Sequence, residues 1–238
     1  MRSGISDANR RLNPRITDPD WLPMSGLSRA VARFAAARPG QGLTALDVGC
    51  GSQPYRPLFE AAGFRYLAAD MGSGTEISIS ETGIVGAPDA SADLIVSFQV
   101  LEHVRDLETY LSEARRLLKP GGTLLLSTHG VWLYHPHPED HRRWTRTGLI
   151  HEIEARGFRV VNDEALVGPL AWTTVFRLLG YCYVLRRIPV LGGIVEYGLA
   201  AMMNLRAAIE DRLTPRQITR DNACIYLVQA VPEGHSSR

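Results

Sequence analysis

The chain has little net charge, few cysteines and no apolar run long enough to cross a bilayer. Its 26 basic and 25 acidic residues leave a formal charge of +1, which gives no global field to draw it to nucleic acid. Nor does any stretch interleave basic and aromatic residues in the manner of an RNA-recognition surface. The three cysteines, Cys50, Cys182 and Cys224, have no partners at metal-ligand spacing, so packing in a reduced compartment is expected of them. No apolar targeting segment opens the chain, which predicts a cytoplasmic location. The two most apolar stretches, 170–185 and 190–205, each fall short of the roughly 20 residues that span a membrane. Peripheral contact at the inner membrane face stays open.

What the chain does have is concentrated in the stretch LTALDVGCGSQPY, Leu43 to Tyr55. An apolar run holding one acid gives way to glycines, which reads as a buried parallel strand ending in a turn that faces a ligand. Glycine at 49 and 51 permits close approach, and the N–H groups of the turn can meet a carboxylate or phosphate. Pro54 stands where a dinucleotide fingerprint needs its third glycine, and no lysine follows the glycines as a phosphate loop requires,. Asp47 precedes the turn, and Asp70 ends a second apolar run, RYLAAD.

Acid, turn and second acid at this spacing resemble class I S-adenosylmethionine-dependent methyltransferases of the small-molecule, UbiE-like bacterial type. LDVGCGS matches their first motif, and LLKPGGTLLLST from Leu117 to Thr128 is among the family's most recognisable stretches. The resemblance implies an α/β fold: a doubly wound, mostly parallel seven-stranded sheet, with the last strand antiparallel beside the fifth. It also implies S-adenosylmethionine as cofactor, held by Asp47, Gly49, Cys50, Gly51, Asp70 and Met71, with Asp70 on the ribose hydroxyls. Phe98 and Gln99, just past the fourth strand, take the methionine part. Relatives present an Asp to the adenine amino group; Glu81 is the substitute here. His103 of the LEH triplet either faces the methyl group or pins the following helix.

The organisation follows in order. Residues 1–42 read as a mobile, arginine-bearing arm, solvated or alternatively folded over the cofactor cleft or against an anionic surface, and a helix from Ser25 to Arg38 capped by Ser25. Residues 43–167 read as the cofactor-binding core, 168–221 as an apolar helical insertion before the last strand, and 222–238 as that strand and a tail. Short strands are expected around Glu76 to Ser80, at Ala92 to Gln99, at TLLLST, at Phe158 to Val167 and at Asn222 to Val231. Asp106 and Thr145 or Thr147 are expected helix caps. The insertion is a packed helical hairpin, a lid over a greasy acceptor, a homodimer interface or a membrane-resting surface.

The loop after the fifth strand, HGVWLYHPHPEDHRRWT, gathers His129, His135, His137 and His141 beside Asp140 and Arg143. It resembles a loop of one group of bacterial methyltransferases at His135, Pro138, Asp140, Arg143, Trp144 and Thr145, and at the carboxyl edge of the sheet it should wall the acceptor pocket. Three roles compete: Asp140 and Arg143 pair to shape the loop, a neutral His135 acts as general base, or histidines with Asp140 ligate a divalent metal. The expected catalytic set is His135, His103, Asp140 and Arg143, with no metal. The expected activity is methyl transfer, chiefly to oxygen, on a small-molecule, glycan or lipid-linked acceptor. The alternative is a cofactor-binding regulatory or assembly module without turnover.

Overall fold

The computed structural model describes residues 4–72, 74–136, 139–189 and 191–234. Its strands are β1 (Thr44–Val48), β2 (Arg65–Asp70), β3 (Ile77–Ser78), β4 (Ala92–Phe98), β5 (Leu118–His129), β6 (Phe158–Leu166) and β7 (Ile225–Pro232). They form one seven-stranded sheet in the order β3-β2-β1-β4-β5-β7-β6. Neighbours from β3 to β5 pair in parallel, and β7 inserts antiparallel between β5 and β6. Strand order reverses between β1 and β4, the place where open α/β sheets leave a crevice at their carboxyl ends.

The sheet is buried on both faces, so its strands read as continuous apolar runs. Along β5, Leu125 joins one core layer while Leu124 and Leu126 join the other, the period of two that a strand imposes. The first layer packs α2 (Trp21–Ala36), α3 (Arg56–Ala61) and the start of α6 (Pro169–Leu185) through Val31, Phe59 and Val175. The second packs α4 (Leu107–Leu117) and α5 (Arg146–Glu154) through Leu111, Leu117 and Ile153. Each fully buried aliphatic of this kind stabilises the fold by about 1.5–3 kcal/mol. Asp106 caps α4 by accepting the N–H groups of Glu108 and Thr109, and Thr145 caps α5 by accepting that of Gly148.

Several local expectations are corrected. Much of the amino-terminal arm is a helix, α1 (Gly4–Leu12), held in part by Arg10, whose guanidinium makes two hydrogen bonds to Asp20 at 2.6 and 3.1 Å. The next helix starts at Trp21, so Ser25 is interior and donates to the Leu22 carbonyl instead of capping. β3 is only two residues long because Glu76 turns back to the Ala68 N–H and to Arg56. β5 starts five residues before Thr123, pairing Leu118 with Ala92. The insertion is α6, α7 (Leu191–Leu213) and a short α8 (Arg216–Asp221), with α6 and α7 packed through Leu178, Cys182, Ala200 and Met203.

Candidate active site

A cavity of about 1190 Å³ lies along the carboxyl ends of β1, β2, β4 and β5. Small-molecule pockets commonly measure about 300–1,000 Å³, so there is room for two ligands, and the two ends differ in chemistry.

One end is built on the turn after β1. Gly49 and Gly51 adopt φ of +76° and +50°, a region L side chains rarely enter. A Cβ on Gly49 would lie 2.7 Å from Val100 Cγ2, whereas one on Gly51 would meet nothing within 4 Å, leaving open space beside the Gly51 N–H. Asp70, ending β2, reaches back to this turn: its Oδ2 accepts the Gly51 N–H and its Oδ1 the Met71 N–H, both at 2.7 Å. A carboxylate has about four lone-pair sites, so both oxygens can still accept from a ligand. Cys50 packs beside Asp70; burial pushes its thiol up to about 12, which makes it a wall and not a nucleophile.

Asp47 sits behind the turn, 2% exposed. Its Oδ2 accepts a hydrogen bond from the Tyr66 hydroxyl, while Oδ1 has no partner among the described residues. Burial pushes this carboxyl up to about 7, against the Tyr66 hydrogen bond and with help from the charge of Asp70. A buried carboxylate oxygen without a partner, in a residue lining a cavity, is an acceptor that a ligand cation could satisfy.

The remaining predicted contacts lie around this end. Met71 and Glu81 are exposed residues that line the cavity, Glu81 in the turn closed by the Ile79 to Val85 bridge. Phe98 stands edge-on to Tyr55 at 4.8 Å. Gln99 has φ of +58°, a strained conformation held by its N–H to the Ser127 carbonyl at 2.9 Å and its side-chain amide to Ser127 Oγ at 3.0 Å,. Unexpectedly, α1 contributes Asp7, Arg10 and Arg11 to the lining. Asp7 accepts from the Ser52 hydroxyl at 3.1 Å and from Arg11 at 2.9 Å, latching α1 to the glycine turn.

The other end is built on the loop after β5. Asp140 has a side chain 2% exposed, and the Arg143 fork grips both of its oxygens, Nη2 to Oδ2 at 2.6 Å. Arg143 also donates to the carbonyls of Trp132 and Leu133, and Asp140 accepts the His135 N–H at 2.9 Å. The guanidinium holds the Asp140 carboxyl far below the usual range. This pair shapes the loop. It also sets the tautomer of His135: Nδ1 faces the Leu133 carbonyl at 3.2 Å and Asp140 Oδ2 at 3.3 Å. Both are acceptors only and both lie nearer than the one donor at this nitrogen, Arg143 Nη2 at 3.4 Å, so they favour the proton on Nδ1 and the lone pair on Nε2. Burial lowers the His135 pKa, leaving the ring neutral at pH 7.

The His135 ring meets His103 edge-on at 4.9 Å and His129 at 5.2 Å. His103 lines the cavity and its Nδ1 meets the Glu139 carbonyl, so it ties the short helical turn Leu101–His103 to the loop. His129 is buried and stacked on Trp132 at 5.1 Å, its Nε2 3.5 Å from Glu102 Oε1. Glu102 is wholly buried and accepts from the Thr128 hydroxyl at 2.8 Å. Burial raises the Glu102 pKa and takes that of His129 well below normal, so both favour their neutral forms. For a metal, the ligand atoms that come together are those of Glu102, His103 and His135, within 4.8 Å of one another. The metal set expected from the loop alone differs, and its His137, like Pro138, lies outside the described residues.

Glu102 and Trp132 were not singled out for the site by the sequence, and neither was Tyr66. Tyr66 had one signal: it lies two pairs below Asp47 in the β1–β2 ladder, with Ala45 opposite it and Ala68 opposite Asp47, so it stands on the same side of the sheet as the acid.

Residues 23–163, more than half of the chain, match the sequence profile of a family described as methyltransferase domain. A Mycolicibacterium smegmatis protein named for S-adenosylmethionine-dependent methyl transfer is 29% identical over 136 residues, 50% of this chain and 53% of its own length. A ubiquinone biosynthesis O-methyltransferase of Cereibacter sphaeroides is 32% identical over 173 residues, 59% of this chain and 70% of its own. The chain thus spans about half the length of the first of these relatives. Among solved structures, a Burkholderia thailandensis 1,6-didemethyltoxoflavin-N1-methyltransferase with S-adenosylhomocysteine bound aligns over 98% of this chain and 87% of its own. The TM-score is 0.55 and the identity 16%, a likeness of fold.

Proposed function

This chain belongs to the methyltransferase-domain family, whose donor is S-adenosylmethionine, and we propose that it binds that donor and methylates a hydroxyl oxygen of a small-molecule acceptor. Glycan and lipid-linked hydroxyls fall within the same chemistry. The cavity fits the donor on three counts. Asp47 Oδ1 is a buried acceptor awaiting a cation, such as the methionine ammonium. Gly51 leaves open space where a side chain would stand, so the donor can approach the turn closely. Asp70 offers both oxygens to a ribose diol, with Met71 and Glu81 at the adenine and Phe98 and Gln99 beside the methionine.

When bound, the donor supplies a methyl group already activated by a positive sulfur, so the protein's tasks are to place the acceptor, exclude water and take a proton. His135 takes that proton at Nε2. The observation that carries this reading is the pinning of its Nδ1 by Leu133 and Asp140 in a ring that lines the cavity. Asp140 and Arg143 act through His135 by fixing it, and His103 packs against its ring. A hydroxyl acceptor needs such a base at neutral pH, and oxygen is favoured over nitrogen because the Cereibacter sphaeroides relative is named for O-methylation.

Replacing His135 by Gln should cut turnover by about 10²–10⁴, with the affinity for S-adenosylhomocysteine unchanged. Undiminished turnover would remove His135 from the mechanism, and labelled donor that methylates no hydroxyl in a cell extract would favour the non-catalytic module. The Glu102, His103 and His135 cluster favours a second reading, a divalent ion that lowers the acceptor's pKa,. Activity lost to a chelator and restored by a divalent ion would select it.

A further inference from the structure

The insertion leaves an apolar surface in water that the rest of the fold does not cover. One side of α7 is buried through Ala200, Met203, Asn204 and Ala207, and the Asn204 amide donates to the carbonyls of Ile16 and Asp18, both at 2.8 Å. On the opposite side Ile194, Val195, Met202, Leu205, Ile209 and Leu213 are each at least half exposed, and at 3.6 residues per turn they fall on one face. A helix apolar on all sides is normally enclosed, and a contiguous exposed patch marks an interaction surface.

Charge identifies what covers it. Residues 169–221 hold seven arginines and four acids, whereas the rest of the chain has a small acidic excess. Three of the four acids are engaged: Glu196 is paired with Arg186 at 2.6 Å, Glu210 with Arg206 at 2.7 Å, and Asp211 accepts the Gly168 N–H, while Asp221 is exposed at the end of α8. Arg187, just before α7, and Arg212 and Arg216, at its other end, have no carboxylate partner among the described residues. Tyr181, Tyr183 and Tyr197 are exposed around the hairpin, with the Arg187 guanidinium 4.5 Å from the Tyr183 ring centre. Apolar side chains bordered by arginine and tyrosine match the depth profile of a bilayer, hydrocarbon inside and headgroups at the rim. A second copy of this face would instead set arginine against arginine, the acids of α7 being already engaged.

We propose that the outer face of α7, with the arginines at its ends, rests on an anionic phospholipid surface. It rests and does not span: among the described residues no helix is long and apolar enough to cross a membrane. The contact would sit beside the cavity, because Trp172, Phe176, Trp132 and His129 form a ladder of rings at 5.3, 5.6 and 5.1 Å from α6 to the cavity wall. On the reading of that end as the acceptor site, an acceptor dissolved in the bilayer would arrive where it is used. The lipid contact itself stands independently of that reading.

Flotation of the full chain with vesicles of phosphatidylcholine alone, or mixed with phosphatidylglycerol, tests this. Binding is expected to the anionic vesicles only, with release by salt. It should be abolished by M202E/L205E/I209E together and weakened about fivefold by each of R212Q and R216Q. Ile84→Glu, an equally exposed position outside the hairpin, should change nothing. All variants should keep their affinity for S-adenosylhomocysteine, which separates failure here from failure of the proposed activity. No binding to either vesicle, binding that survives the triple substitution, or a dimer in light scattering that the triple disperses would each overturn the proposal.

Discussion

Asp47 offers the sharpest quantitative test of how the donor is held. Its carboxyl, buried and pushed up to about 7, is largely protonated in the free protein below neutrality. A ligand ammonium at Oδ1 requires the ionised form. If only that form binds, the apparent dissociation constant carries a factor of one plus the ratio of protonated to ionised Asp47. Affinity for S-adenosylhomocysteine, measured calorimetrically, should therefore weaken about tenfold from pH 8 to pH 6 and about tenfold more by pH 5. In Asp47→Asn the curve should be flat over that range and the affinity lower at pH 8. The same substitution should act oppositely on the free protein. A carboxyl whose folded pKa is raised from 3.8 to about 7 costs stability as pH climbs through that window, on the order of 4 kcal/mol at most. Asn at 47, still able to accept from Tyr66, should raise the melting temperature at pH 8 and have little effect near pH 4. A wild-type affinity curve that is flat, or that the Asn variant reproduces, would refute the assignment of Asp47 to a ligand cation.

Other positions separate stability from binding. Gly49→Ala puts a Cβ 2.7 Å from Val100 at φ of +76°, and should cost about 1–3 kcal/mol in chemical denaturation; Gly51→Ala, in open space, should lower donor affinity more than stability. Arg143→Lys removes a fork that grips Asp140 and should cost about 1–3 kcal/mol, with protease cleavage of the loop as the readout. Because the Asp140 carboxyl is held low, that pairing is present above the unfolded pKa of about 4 and lost as pH falls further, so wild type and variant should converge in strong acid. Leu125→Ala in the central strand should destabilise by about 2–5 kcal/mol without altering the donor's pH profile.

The donor end was legible because its chemistry is local. Strand, glycine turn and acid are consecutive from Leu43 to Ser52, and Asp70 needs only the parallel β1–β2 pairing, in which Val48 faces Ala69, to arrive at the same edge. The sheet was legible for a related reason: strands buried on both faces are written as apolar runs, and their ends are marked by glycine and proline. What escaped was set by contacts between distant segments. The arginines of GISDANRRL allowed an arm over the cleft but did not favour it over a solvated terminus, since the latch is one hydroxyl of Ser52 meeting Asp7. Ser25 is a good capping residue, yet the helix runs past it because Leu22 and Leu27 both find the core, and burial outweighs a cap.

The acceptor end shows why a loop rich in ionisable residues is ambiguous until it is folded. His129, His135 and His141 look alike in HGVWLYHPHPEDHRRWT, but the fold gives each a different setting. His129 is taken into the core by the last turn of β5, where burial and its neighbours His135 and Arg143 disfavour the cation. His141 stays at the loop's surface, 3.2 Å from Glu139. Of these three, His135 lines the cavity with its Nδ1 beside Asp140, which is itself held by Arg143. A base at His135 would therefore depend on a chain of three residues: Arg143 keeps Asp140 ionised, and Asp140 favours the proton on Nδ1 of His135. It follows that Asp140→Asn, which preserves the shape but can present an N–H to Nδ1, should lower turnover and displace its pH profile while leaving donor affinity in place. A loss of donor affinity in that variant would instead mean that the loop's role is to close the cavity as a whole.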